Sequence, residues 1–94
     1  MAATEKQRST IRIYMDILQA AESEGNAKTT RILQKANLPH DRMMKHASEL
    51  QKRGLLDEVN NGGSRYYIIT TKGKDFVREV QRAEAFLSAF GVSI

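Results

Sequence analysis

The chain has no cysteine and no tryptophan, and one proline in 94 residues. Without cysteine there is no disulfide, no thiol chemistry and no cysteine-based zinc finger. No apolar run approaches the ~20 residues that span a bilayer as a helix, so no membrane partner is expected. The opening MAATEKQRST carries charges with no apolar stretch behind them, which is not the pattern of a secretory signal. Residues 1–8 are expected to be a flexible N-terminal arm. No repeat, low-complexity segment or interdomain linker is visible, and a chain of this length holds one small core. Such a core leaves little room for a ligand pocket, so neither a small-molecule ligand nor a cofactor is expected.

Catalytic patterns are missing too. The carboxylates are scattered among cations at helix-surface spacings, and no nucleophile–base pair stands out. His40 and His46 lie six apart on one expected helix, about 240° around its axis, and cannot converge on one metal ion. Gly62-Gly63 falls between two expected strands, not between a strand and a helix as a phosphate loop requires. An enzyme is not expected.

What is present is charge gathered in one place. The chain carries a net +4. Between Ala27 and Leu56 stand Lys28, Arg31, Lys35, Arg42, Lys45, Lys52 and Arg53 against only Asp41 and Glu49, a local balance of +5. The 26 residues before sum to −1 and the 38 after to zero. The same stretch reads as two helices joined by a tight turn, and a basic field on such a pair is the footprint of a protein that lays a helix in a DNA groove.

Periodicity supplies the elements. Ser9 or Thr10 caps a first helix running to about Glu24, with Ile13, Tyr14, Ile17 and Ala21 on one face and Gly25 beyond its end. Thr29 or Thr30 is expected to cap a short second helix, which carries Ile32 and Leu33 and ends near Ala36. Asn37-Leu38-Pro39 is the turn, with Leu38 as its buried pin. The third helix runs from about His40 to Arg53 and stops at Gly54. On a wheel, Met43, His46, Ala47 and Leu50 fill one side. Asp41, Lys45, Ser48 and Lys52 fill the other, flanked by Arg42 and Met44. Leu55 to Val59 and Arg65 to Thr70 read as two strands about a turn at residues 60–64. Thr70 or Thr71 then caps a last helix to about Phe90. In it Phe76, Val80, Ala83, Leu87 and Phe90 follow a 3.5-residue period, and Phe86, Leu87 and Phe90 project past anything so small a core could cover. Such side chains are costly to expose, and a second copy of the chain is the simplest cover.

The order helix, helix, helix, two-stranded wing, long helix, together with TRILQKANL, MMKHASELQKRGLL and YYIITTKGKDF, resembles the small archaeal winged helix-turn-helix DNA-binding proteins. These include the Sulfolobus "ten-a" chromatin-associated type, which pairs through a C-terminal coiled-coil helix. The resemblance covers roughly Ile11 to Val80. It implies an α+β fold, mainly α with a small β-hairpin, in which residues 9–71 are the winged domain and residues 72–94 an extended dimerisation helix. It further implies a cytoplasmic, nucleoid-associated homodimer on double-stranded DNA, acting as transcription regulator or chromatin protein. The third helix would be the recognition helix and residues 60–64 the wing tip.

Candidate DNA-binding residues follow. Arg42, Lys45 and Lys52 lead, with His40, Asp41 and Ser48 on the same helix. Lys28, Thr29, Thr30 and Arg31 open the second helix, where hydroxyls, cations and free N–H groups suit a phosphate. Arg65, beside the wing tip, is placed to enter the minor groove or grip its backbone. One of Tyr66 and Tyr67 is core. The candidate dimer interface is Phe76, Val80, Ala83, Phe86, Leu87 and Phe90. A second function class stays open: a winged-helix module for protein–protein assembly, in which the basic helix is a solvated face and the Phe86–Phe90 end docks another protein.

Overall fold

A computed structural model describes residues 8–94; most of the expected N-terminal arm therefore lies outside the described residues. Four helices and a three-stranded antiparallel sheet are seen: α1 (Thr10–Glu24), β1 (Ala27–Lys28), α2 (Thr29–Ala36), α3 (His40–Lys52), β2 (Leu56–Asn61), β3 (Ser64–Ile69) and α4 (Thr71–Ser88). The α+β class and the winged arrangement agree with the sequence.

Local chemistry sets most boundaries. The Ser9 side chain accepts from the Arg12 N–H and starts α1, satisfying one of the N–H groups that a helix start leaves free. α2 ends at Asn37, held in the left-handed region at φ 53°, and the Leu38 N–H closes back on the Leu33 carbonyl at 3.1 Å. Arg8 stitches this turn to α1. Its guanidinium donates to Asp16 at 2.7 Å, to the Ala36 carbonyl at 2.7 Å and to the Asn37 carbonyl at 2.9 Å, satisfying carbonyls that a helix C-terminus leaves free. α3 ends on Gly54 at φ 77°, with the Gly54 N–H bonded to Gln51 O and the Leu55 N–H to Leu50 O. This pair of hydrogen bonds around a left-handed glycine turns the chain sharply into β2.

Three expectations need correction. The sheet has three strands, not two: its order is β1-β3-β2, with Ala27 opposite Tyr67 and Lys28 opposite Tyr66. A two-residue strand has no alternation to betray it, and its pairing is decided by distant partners. Neither Thr29 nor Thr30 caps α2. Lys28 occupies the N-cap with no side-chain cap bond, because the β1 pairing brings the chain into the helix one residue earlier. The hairpin is also tighter than read, since β2 and β3 pair as far as Asn61 and Ser64 and only Gly62-Gly63 turn between them.

The core sits where α1 meets the other helices and the inner face of the sheet. Tyr67, Met15, Ile17, Leu18, Ile32, Met43, Leu50 and Leu56 are its largest fully buried side chains. Burying each of the aliphatic ones is worth roughly 1.5–3 kcal/mol. α4 joins the core only through its first half. Gly73 and Val77 are buried, and Phe76 and Val80 pack at the edge. An Arg12–Glu84 ion pair marks how far along α4 the domain reaches. Beyond it, Phe86 is 66% exposed and Phe90 70%, their rings 5.3 Å apart on an uncovered face.

Candidate nucleic-acid interface

α3 divides as its sequence pattern implies. Met43, His46, Ala47 and Leu50 are buried, while His40, Asp41, Arg42, Lys45, Ser48 and Lys52 are all exposed. They do not form one row. At 100° per residue Asp41, Lys45, Ser48 and Lys52 share a stripe, from which His40 and Arg42 diverge by about 100° on opposite sides. The His40 Nδ1 lies 3.7 Å from the Asp41 carboxylate. The stripe thus holds two lysines spaced two turns apart with a serine between them, and Asp41 at its N-terminal end.

The inner side of α3 is anchored by polar contacts as well as packing. The Tyr14 hydroxyl on α1 donates to Glu49 Oε1 at 2.8 Å, and His46 Nδ1 lies 3.2 Å from the same oxygen. The Tyr14 and His46 rings meet edge-on at 6.0 Å, and the Arg53 guanidinium lies 5.7 Å from the Tyr14 ring centre. The hydrogen bond from Tyr14, reinforced by His46, holds the Glu49 carboxyl below the usual carboxylate range. Burial, and then Glu49, pushes the Tyr14 hydroxyl up. A depressed carboxylate stabilises the fold above the ordinary Glu value of about 4.3, and the contribution disappears as pH falls through the lower folded value. Tyr14→Phe is therefore expected to move the Glu49 titration upward in an NMR pH series. An unmoved titration would remove Tyr14 as its principal partner. Sequence reasoning missed this cluster: the i,i+3 spacing of His46 and Glu49 was visible, but the partner 35 residues away was not.

The cations of α2 are less free than the sequence suggested. Arg31 and Lys35 both reach the Glu24 carboxylate, each at 3.2 Å, and these two bonds, Arg31 first, lower the Glu24 pKa. Lys28 instead lies 5.9 Å over the Tyr66 ring. Arg65 is tied by its Nε to Glu58 at 2.9 Å. Of the paired tyrosines Tyr67 is the buried one, its hydroxyl 3.6 Å from the Met44 sulfur and pushed up in pKa by burial. Lys28, Thr29, Thr30, Ser64 and Arg65 together line a cleft of about 200 Å³, so the start of α2 and the base of the wing, separate in the sequence, meet in space.

Among the described residues no group of three or more His, Asp or Glu is placed to hold a metal ion, and no helix is long and apolar enough to cross a membrane. The dimer candidates split into half-buried Phe76, Val80 and Leu87 and exposed Ala83, Phe86 and Phe90.

Comparison with known proteins places this geometry. Residues 7–88 match a family model described as winged helix-turn-helix. No curated protein matches the sequence. Among solved structures the chain is similar to Sso10a-2, a DNA-binding protein from Sulfolobus solfataricus, at 27% identity and a TM-score of 0.75, over 89% of this chain and 90% of that one. It is similar in fold to a PadR family transcription regulator from Clostridium difficile (18% identity, TM-score 0.73, 83% of this chain and 92% of that one). It is also similar in fold to the transcriptional regulator BldR from Sulfolobus solfataricus (18%, 0.71), covering 81% of this chain and 56% of BldR.

Proposed function

The chain belongs to the winged helix-turn-helix family, and from that premise we propose that it binds duplex DNA as a homodimer, as a transcription regulator or chromatin-associated protein of the nucleoid. The carrying observation is the +5 field on residues 27–56 combined with an α3 whose apolar side is wholly used in the core and whose other side is exposed. In this reading α3 enters the major groove. Lys45, Ser48, Lys52 and Asp41 face the bases or their phosphates, Arg42 and His40 reach the flanking strands, and Arg31 adds to the field near the start of α2. Residues 9–71 form the binding domain and residues 72–94 the pairing element. Phe76, Val80, Ala83, Phe86, Leu87 and Phe90 would meet their counterparts across a two-fold axis. The DNA-binding description of Sso10a-2 supports the reading. The protein acts by binding and carries no reaction.

Fluorescence anisotropy against random-sequence duplex tests it. Lys45→Glu is expected to weaken binding by about tenfold or more with the fold intact, and unchanged binding would take α3 out of the interface. For the dimer, truncation after Gln81 is expected to give a soluble monomer by sedimentation. A truncated chain that stays dimeric would put the pairing surface elsewhere. The exposed Phe86 and Phe90 also favour a second reading, docking of a different protein; a full-length chain that is monomeric and indifferent to duplex would favour it over the first.

A further inference from the structure

We propose that Met44 is a modification site, oxidised to its sulfoxide by a hydroperoxide, and that the added oxygen fastens α3 to the wing. Tyr67 is fully buried, and a buried tyrosine hydroxyl ordinarily finds a good hydrogen-bond partner. Here it donates to a thioether, the Met44 sulfur, at 3.6 Å, and a thioether is a weak acceptor. A second donor converges on the same atom. Arg65 and Tyr67 lie two apart on β3 and share one face of the sheet, and the Arg65 Nη1 lies 3.9 Å from the sulfur. Glu58 holds the same guanidinium through its Nε at 2.9 Å and accepts from Gln51 of α3 at 3.3 Å, which keeps Arg65 beside that helix. An oxygen carried on the sulfur would stand roughly 2.6–2.9 Å from either donor, the length of a full hydrogen bond. A sulfoxide is polar where the thioether is not, and a polar atom at a core edge is costly unless hydrogen-bonded. At Met44 the donors are already in place. Access sets this residue apart from the other described methionines, since Met15 and Met43 are fully buried and Met44 only half-buried. In the reaction the sulfur lone pair attacks the terminal peroxide oxygen. The S–O bond forms as the O–O bond breaks, and the departing oxygen takes the proton and leaves as water or an alcohol. Sulfur gives up two electrons and the peroxide gains them. Met44 lies on the helix that the reading above sets on duplex DNA, but the site does not depend on that reading.

The test needs no DNA. Full-length protein carrying ¹³C at its methionine methyls is treated with dilute hydrogen peroxide and followed by NMR, with single Met→Leu variants identifying each signal. Met44 should oxidise at least about tenfold faster than Met15 and Met43. Rates within about twofold of theirs would mean that its sulfur is not reachable and would overturn the site. The fastening is read by urea unfolding before and after oxidation, each protein serving as its own reference. Tyr67→Phe keeps the buried ring and loses only the contact to sulfur, so it is expected to fold. Its sulfoxide oxygen would lack the buried donor, and oxidation should lower its folding equilibrium constant at least about fivefold more than it lowers that of the parent. Met44→Leu, treated in the same way, should show no change, which separates Met44 from the other methionines. Equal losses in the parent and in Tyr67→Phe would show that the oxygen does not meet the Tyr67 hydroxyl. An equal loss in Met44→Leu would place the lesion elsewhere. Either result would overturn the proposal.

Discussion

Gly73→Ala is expected to cost about 3 kcal/mol of stability, lowering the melting temperature by about 12–24 °C. Helix propensity alone points the other way, since alanine in a helix is favoured over glycine by about 1 kcal/mol. Space decides the sign. A Cβ at Gly73 would overlap the Leu55 carbonyl oxygen and come within 2.7 Å of the Ile69 side chain. The Leu55 carbonyl is not free to retreat, because it accepts from the Thr70 N–H at 3.2 Å. Thr70 itself is pinned twice: its hydroxyl donates to the Gly54 carbonyl at 2.7 Å and accepts from the Gly73 N–H at 2.9 Å. The remaining relief is for α4 to lift away from the α3–β2 junction, unpacking Val77 and Phe76 as it goes. Urea unfolding measures the loss. A midpoint equal to or above that of the parent would mean that α4 sits farther from Leu55 than described.

The largest effect is expected from salt. Lys28, Arg42, Lys45 and Lys52 make no ion pair among the described residues, whereas Arg31 and Lys35 share Glu24 and Arg53 donates to the Glu49 carbonyl. A homodimer would present those four twice. If each neutralises one phosphate, the log–log slope is about −7, and affinity falls on the order of 10⁴-fold between 50 and 200 mM salt. Anisotropy at the two concentrations reads this directly. A loss of less than about tenfold over that range would correspond to one or two phosphates and would leave most of the basic field without a nucleic-acid role. With the expected salt-sensitive binding, selection from a random pool would separate a regulator from an architectural protein, because the two differ in specificity ratio more than in affinity.

These two predictions draw on different depths of the sequence. The inward and outward sides of α3 were legible residue by residue, since thirteen residues complete more than three helical turns and each position constrains the others. The turn at Asn37-Leu38-Pro39 and the stop at Gly54 were legible because few residues fit their backbone. The charge total of residues 27–56 was legible, but its availability was not. Glu24 lies on α1, and only tertiary packing shows that it takes up Arg31 and Lys35. The same holds for the cleft, which exists because a two-residue strand pairs with β3. The mutual placement of Tyr14 and Glu49 had no local signal at all. Gly73 lies in the YYIITTKGKDF stretch that carries the resemblance, and its steric reason lies in Leu55, eighteen positions earlier.

Arg8 bears on how this surface could be transplanted. Its guanidinium fastens the carbonyls of Ala36 and Asn37 to Asp16 of α1, so the angle between α2 and α3 is set partly by a residue outside both. A peptide cut to those two helices would lack that fastening and the Tyr14 anchor behind α3. Grafting is therefore expected to succeed at the level of single exposed side chains on an intact host domain, and to fail for the helix pair lifted out whole.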